Sequence, residues 1–318
     1  MKTDNFITYL EKYSPYLWTI IKSHPDKFLE NNDMLLINFE RFRLITKMID
    51  RFQEGKKIFL DLGVYPGIVP QICFEHLSLK PQIFYGLGLG FHEEFQTSMT
   101  KLGITLLECD LDPRLHLDEG RATIIPLEAE SVDFVVFTDV VEHFFDPFYP
   151  LQEINRVCKN DAVIVLTTDN LTRFGALFGM LRGRSCNVPL IAGNLFYKGD
   201  WRPHFREYSK VELFQLLEWS GFEVVEHHFY EAEFGQYRIE AGKLIRKDLR
   251  NLSLKGRLVD EIRKLSIRII PHLRDNHILV ARKVKTFEEM QHSSPKVVSD
   301  LEDWTSQRER FGNSNYRK

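Results

Sequence analysis

The chain has 318 residues, of which 43% are hydrophobic and 13% aromatic, and its formal net charge is −3. This length and composition suit one catalytic domain with a large core and extra helices. The slightly acidic balance argues against nucleic acid as a partner. Four scattered cysteines predict neither a disulfide framework nor a metal knuckle, so we expect a cytoplasmic protein. We expect no secretory leader and no membrane span, because no apolar run is long enough.

Residues 1–55 are predicted to form an N-terminal helical cap. Apolar residues recur at three- and four-residue steps, for example at Phe39, Phe42, Ile45 and Ile49, as they do on the buried face of a helix. No residue of recognisable chemistry stands out there. We therefore expect the cap to cover the sheet, or to close over a substrate.

Residues 56–285 are predicted to form one α/β domain. Short apolar segments alternate with helical patterns, which indicates a mostly parallel sheet with helices on both faces. The predicted strands span residues 57–62, 82–89, 104–109, 132–138, 162–168, 222–229 and 276–284. Before the sixth strand, Ser209 to Glu212 has the pattern of a capping box, and Gly221 is suited to end the helix that it opens.

A basic insertion, about residues 231–275, is predicted to be helical. Between residues 238 and 285 there are 14 Lys and Arg against 5 Asp and Glu. Such a charge can attract a phosphate-bearing acceptor or an anionic membrane surface, although it also suits a solvated helix face. Residues 286–318 are polar and aperiodic, which predicts a disordered tail.

The segment that carries chemistry is the loop after the first strand, Asp61-Leu62-Gly63-Val64-Tyr65-Pro66-Gly67. Gly63 can adopt backbone angles closed to other residues, and Gly67 lets the backbone approach a ligand. The helix that follows offers free N–H groups and a partial positive charge at its first turn, which attract a carboxylate. The three-glycine pattern of a dinucleotide site is absent.

This loop, from Phe59 to Gly67, resembles the first motif of class I methyltransferases. Two longer segments, residues 125–170 and 204–222, resemble the type-11 methyltransferase family in order and spacing. The resemblance implies a Rossmann-like class I fold, with a seven-stranded, mostly parallel sheet and an antiparallel last strand. It also implies S-adenosyl-L-methionine as the cofactor.

The resemblance assigns cofactor contacts to residues in, or directly after, each of the first four strands. The assigned residues are Asp61, Gly63, Tyr65, Gly67, Gly88, Asp110, Thr138 and Asp139. Two positions depart from the family pattern. Tyr65 replaces a glycine, so it stacks near the cofactor or narrows the pocket. Gly88 stands where the family has an acid that binds the ribose, so Glu93, Glu94, water or backbone is left to take that role. Asp110 is expected to accept from the adenine amino group, with Asp112 as the alternative.

The reactive end is predicted just after the fourth strand. If a helix begins there, Asp139, Glu142 and His143 share one face, and His143 is the first candidate for a general base, with a purely structural role as the alternative. His204 is the second catalytic candidate. Some quinone and small-RNA methyltransferases bind a metal through a similar set of residues. The corresponding residues here are Asp139, Glu142, His143 and His204, although we assign no metal. The stretch 171–198 is expected to be a lid or acceptor pocket, or simple helix packing, and Trp201 and Arg202 are further acceptor candidates.

The leading interpretation is therefore an S-adenosylmethionine-dependent O-methyltransferase acting on a small molecule, such as a sugar or glycan precursor. One alternative is a metal-dependent RNA or quinone O-methyltransferase. Another is a catalytically silent binding protein, because Tyr65 and Gly88 alter the usual cofactor site. The sequence does not fix the oligomeric state.

Overall fold

The structure is a computed structural model. It describes residues 39–65, 67–76, 80–112, 122–185, 202, 204–231, 237–240, 243–246, 253–286 and 289. The predicted helices before residue 39, residue Trp201 and almost all of the predicted tail lie outside these ranges.

Nine strands and seven α-helices lie within the described residues. The strands are β1 (Ile58–Leu62), β2 (Ile83–Gly88), β3 (Ile104–Glu108), β4 (Val132–Thr138), β5 (Cys158–Asp169), β6 (Phe222–Tyr230), β7 (Tyr237–Glu240), β8 (Lys243–Arg246) and β9 (Asn276–Lys283). The helices are α1 (Phe39–Phe52), α2 (Ile68–His76), α3 (Glu93–Lys101), α4 (Phe148–Val157), α5 (Phe174–Met180), α6 (Lys210–Trp219) and α7 (Leu254–Ile269).

Seven strands form one sheet in the order β3-β2-β1-β4-β5-β9-β6. The first five strands pair in parallel, while β9 runs antiparallel between β5 and β6. The predicted Rossmann-like α/β fold, with its antiparallel last strand, is confirmed. Because β1 to β4 are parallel, the loops at their carboxyl ends meet at one edge of the sheet.

Two hydrophobic cores lie on opposite faces of this sheet. Alternate strand residues point to opposite faces, so Phe59 and Phe134 belong to one core, and Leu60 and Val135 to the other. The helices α1, α2 and α3 pack on the first face, and α4 and α6 on the second. The helix α1 contributes fully buried residues such as Ile45, so it is an integral layer of the domain.

The prediction of a wholly helical insertion is wrong. Strands β7 and β8 form an antiparallel pair, and within the described residues of the insertion the helix is α7, which begins at Leu254. The residues of β7 alternate between apolar and polar, a period of two that suits a strand. Only the two residues Ala241 and Gly242 link the strands, and such a short link with glycine favours a hairpin.

No helix in the described part of the chain is long and apolar enough to cross a lipid bilayer.

Candidate functional site

A cavity of about 560 Å³ opens at the carboxyl ends of β1 to β4. Open α/β sheets bind ligands at this edge, and the volume lies in the range of small-molecule sites. The lining residues are Leu62, Gly63, Tyr65, Leu87, Gly88, Leu89, Gly90, His92, Cys109, Asp110, Leu111, Asp139, Val140, His143, Phe144 and Arg202. Four separate loops and one residue from the segment before α6 therefore surround one space.

Most of the residues assigned to the cofactor from the sequence meet at this cavity. Those that line it are Gly63, Tyr65, Gly88, Asp110 and Asp139. Those that do not line it are Asp61, Gly67 and Thr138. Asp61 is buried in β1, where burial raises the pKa of its carboxyl well above the usual range. This position fits its expected place beneath the loop.

The loop after β1 is held as a tight turn. The backbone N–H groups of Gly63 and Val64 both donate to the carbonyl of Leu87, at 2.9 and 3.1 Å. Gly63 has φ +76°, and a Cβ atom there would lie 2.4 Å from Cγ2 of Val140. Glycine is therefore required, both for the backbone angle and for the close approach of the loop after β4.

Gly67 lies in a left-handed turn directly before α2. Its φ is +84°, and α2 begins at the next residue. A Cβ atom there would lie 2.7 Å from Cε of Met99 and 3.2 Å from the ring of Phe95. The backbone therefore approaches α3 closely at this position; that it also approaches a ligand stays a prediction.

Tyr65 lies on the cavity wall. Its ring centroid is 5.1 Å from that of Phe95, and the side chain is 42% exposed. The ring is thus supported on one side and faces the open space on the other. That it narrows the pocket or stacks on the cofactor stays a prediction.

Phe91 explains why β2 ends in glycine. A Cβ atom on Gly88 would lie 2.9 Å from Cε1 of Phe91. That ring stacks on Phe95, with centroids 5.6 Å apart. Glu93 and Glu94 are exposed in the first turn of α3 and do not line the cavity, whereas His92 does. An aromatic ring therefore occupies the space beside the expected ribose position.

Asp110 lines the cavity and also forms an ion pair with Arg202. The guanidinium of Arg202 donates to Oδ2 of Asp110 at 2.5 Å, and the backbone N–H of Asp112 donates to Oδ1 at 3.0 Å. Asp112, the alternative adenine contact, is buried, does not line the cavity, and accepts from the N–H of Phe145. Of these two acids, Asp110 is therefore the one on the cavity wall, and Arg202 fixes its orientation.

Arg41 of α1 reaches the loop after β4, a contact that the sequence did not suggest. Its guanidinium forms an ion pair with Asp139, and the hydroxyl of Thr167 donates to the other carboxylate oxygen at 2.6 Å. Burial lowers the pKa of Arg41, opposed by the nearby charges of Glu142 and other acidic groups. One feature of the sequence could have indicated this contact. Arg41 is a charged residue four positions before Ile45, and so lies on the apolar face of α1.

The predicted helix starting at Asp139 does not form. Asp139 has φ +51°, which breaks helical geometry, and only a 3₁₀ turn follows at Val141–His143. Asp139 pairs with Arg41, whereas ligand atoms of Glu142 and His143 lie within 4.8 Å of each other. The predicted helix is therefore wrong, although Glu142 and His143 do lie side by side.

Two histidines nonetheless come together at this end of the cavity. The Nδ1 atom of His143 lies 2.5 Å from the carbonyl of Arg202, and Nδ1 of His204 lies 3.1 Å from the carboxylate of Asp169. The two rings meet edge to face, with centroids 4.6 Å apart. His143 lines the cavity and His204 stands behind it.

Glu142 and Asp169 set the charge of this cluster. Burial raises the pKa of Glu142 to about 7, and the charge of Asp169 adds to the effect. The hydroxyl of Thr168 donates to Glu142 at 2.8 Å. Burial alone would lower the pKa of His204, but its hydrogen bond to Asp169 outweighs this, so the pKa is raised.

Part of the chain matches a known family. Residues 88–166 match the model described as a methyltransferase domain. A protein of Mycolicibacterium smegmatis, named as a probable S-adenosylmethionine-dependent methyltransferase, is 35% identical over 112 residues. The aligned region is 35% of this chain and 37% of that protein, so it spans about a third of the length of the curated relative.

Solved structures with a similar fold were also found. A SAM-dependent methyltransferase from Archaeoglobus fulgidus is 19% identical, with a TM-score of 0.44, over 80% of this chain and 100% of that one. An S-adenosylmethionine-dependent methyltransferase from Mesorhizobium loti is 15% identical, with a TM-score of 0.46, over 77% of this chain and 97% of that one.

Proposed function

We propose that this chain, whose residues 88–166 belong to the methyltransferase domain family, transfers a methyl group from S-adenosylmethionine to a hydroxyl of a small molecule. The family match and the curated relative support the class of enzyme and the cofactor predicted from the sequence. The hydroxyl acceptor, with sugars and glycan precursors as the first class to test, rests on the geometry around His143.

The residues present fit this cofactor. The cavity has the volume of a small-molecule site. The turn at its floor requires glycine at position 63, and Asp110 offers a carboxylate on the wall. Asp110 would hold the adenine amino group, and the Gly63 turn would lie against the methionine part. When bound, the cofactor supplies an electrophilic methyl group. The protein must then position the acceptor, exclude water and take its proton.

One observation carries the choice of a hydroxyl acceptor: the ring of His143 is on the cavity wall with its Nδ1 against a backbone carbonyl. A carbonyl only accepts hydrogen bonds, so Nδ1 of His143 is the donor, and in the neutral ring Nε2 carries the lone pair. An alcohol is a poor nucleophile until a base takes its proton. His143 is suited to be that base.

His204 and Asp169 position this base. Asp169 orients His204 through Nδ1, and the ring of His204 packs edge to face on His143. His204 does not line the cavity, so it acts through His143 and not on the acceptor. The carboxylates of Asp169 and Glu142 stabilise positive charge in this pair of rings.

The test is methyl transfer from labelled S-adenosylmethionine to a panel of hydroxyl and amine acceptors. His143→Gln should lower kcat about 10²- to 10⁴-fold, the usual contribution of a general base, while cofactor affinity changes little. His228→Gln is the matched control, because His228 lies on β6 and pairs with Glu226, away from the cavity. Transfer only to amines, or an unchanged kcat in His143→Gln, would contradict the proposal.

A metal-dependent reaction is the second candidate, and one observation favours it. Ligand atoms of Glu142, His143 and His204 lie within 4.8 Å of one another, and mixed carboxylate and imidazole sets suit transition metals. Asp139, the fourth residue considered, is paired with Arg41. If metal takes part, chelation should abolish turnover and leave cofactor binding intact. Unchanged turnover in the presence of the chelator would exclude the metal and leave general-base catalysis as the role of His143.

A further inference from the structure

The helix α7 carries an apolar stripe that faces solvent. Its large apolar residues recur at steps of four, four, three and four, so they share one face. They are Leu254, Leu258, Ile262, Leu265 and Ile269, each between 48% and 80% exposed. No residue of α7 is buried. A helix of an ordinary globular domain turns such a stripe toward the core, and a contiguous exposed one marks an interaction surface.

Ion pairs hold the helix in this orientation. Arg263, on the face opposite the stripe, forms an ion pair with Glu231 at the end of β6 and lies 3.5 Å from Asp260. In the turn that follows α7, the carbonyls of His272 and Arg274 accept hydrogen bonds from the side chain of Asn170, both at 2.7 Å. The polar face is therefore fixed against the domain, and the apolar face is left outward.

The charge beside the stripe is positive. The helix α7 contains five Lys and Arg against two Asp and Glu. Lys255, Arg257 and Arg268 are exposed and flank the stripe. Of the two acids, Asp260 pairs with Arg263 and Lys264 on the inner side, and the exposed Glu261 also pairs with Lys264. Pairing two copies of this surface would bring like charges together, which argues against a second copy as the occupant. An anionic occupant is electrostatically matched.

The short helix α5 enlarges the surface. It lies against α7, and Leu177, Met180 and Leu181 at its end are all exposed. Arg182 and Arg184, which follow directly, are exposed as well. The same combination of apolar and basic side chains therefore continues from one helix to the next.

We propose that α7 and the end of α5 form a docking surface for an anionic lipid bilayer. The helix α7 lies in the plane of the interface, with the apolar stripe at the boundary of the acyl chains and the flanking Lys and Arg among the headgroups. Amphipathic helices with a basic polar border bind membranes in this way. The proposal does not depend on the methyltransferase reaction.

The experiment is flotation of the full chain with vesicles of phosphatidylcholine alone, or mixed with phosphatidylglycerol. We expect binding to the mixed vesicles only, and weaker binding at high salt, because screening shortens the reach of surface charge. The double variant Leu258→Ser, Leu265→Ser should weaken binding at least tenfold. Lys255→Glu with Arg268→Glu should remove the preference for phosphatidylglycerol.

Val211→Ser is the matched control, because Val211 is a similarly exposed apolar residue on α6; its binding should equal that of the unaltered chain. Thermal melting of every variant should be unchanged, since the replaced side chains are exposed. No binding to mixed vesicles, equal binding to neutral ones, or full binding by the double leucine variant would each overturn the proposal. So would a dimer that the leucine variant converts to a monomer. Calorimetry with S-adenosylmethionine on the same variants tests the proposed function separately.

Discussion

The end of β2 offers a quantitative test of how this cavity holds a ribose. Gly88 has no carboxylate to offer, and the ring of Phe91 stands 2.9 Å from the place of its missing Cβ. Gly88 does not have a positive φ, so an aspartate is compatible with the backbone. The ring of Phe91 is then the obstacle. We therefore predict that Gly88→Asp strengthens cofactor binding only when Phe91 is also replaced by Ala.

Two opposing energies set the size of this effect. A carboxylate that accepts from ribose hydroxyls contributes about 1.5–3 kcal/mol, which is roughly a tenfold to hundredfold gain in affinity. Forcing a side chain against a packed ring costs about 1–3 kcal/mol, and Phe91 cannot easily withdraw because it stacks on Phe95. In Gly88→Asp alone the two energies nearly cancel.

The assay is calorimetric titration of S-adenosylmethionine into four proteins: the unaltered chain, Gly88→Asp, Phe91→Ala and the double variant. The cycle should give a coupling energy of about 1–3 kcal/mol. Gly88→Asn with Phe91→Ala is the control for charge, and should gain less. If Gly88→Asp alone binds as tightly as the double variant, Phe91 is not the obstacle. If neither Gly88→Asp nor the double variant binds S-adenosylmethionine more tightly, Gly88 does not face the ribose.

Three further predictions concern stability. Gly63→Ala combines a left-handed φ with a contact on Val140, and should lower the free energy of unfolding by about 2–4 kcal/mol and abolish cofactor binding; an unchanged urea midpoint would refute this. His277 is fully buried and burial lowers its pKa to about 4, so the unfolded chain takes up the proton first and stability falls as pH drops below about 6.5. At pH 5 the free energy of unfolding is lower by about 2 kcal/mol for this reason. Urea titrations at pH 7 and pH 5 should therefore show a smaller loss of stability in His277→Gln than in the unaltered chain. Ser209→Ala removes the observed capping box with Glu212 and should cost about 1 kcal/mol, whereas Ser209→Asp should cost much less.

The sheet was predictable because its signals are local. The central parallel strands β1, β4 and β5 are largely buried and appear as short apolar runs. The capping box at Ser209 marks the start of α6 in the sequence itself. The hairpin in the insertion was missed because the overall basic composition masked a four-residue alternation at Tyr237–Glu240. A short strand pair gives only a weak signal in a single sequence.

The candidate site was predictable in its residues but not in their partners. The positions of Gly63, Asp110 and His143 follow from the ends of strands, and they do meet at one cavity. Arg41 was missed because its contact with Asp139 joins segments almost a hundred residues apart. The turn after β4 was misread because one left-handed residue, Asp139, decides between a helix and a 3₁₀ turn.

The central claim is that the cavity at the ends of β1 to β4 binds S-adenosylmethionine. Calorimetric titration of the full chain with this ligand tests it most directly. We predict saturable binding of one molecule per chain, competed by S-adenosylhomocysteine and lost in Gly63→Ala under conditions where that variant remains folded. No measurable heat of binding at millimolar ligand would contradict the claim, and would indicate a methyltransferase fold used for another purpose.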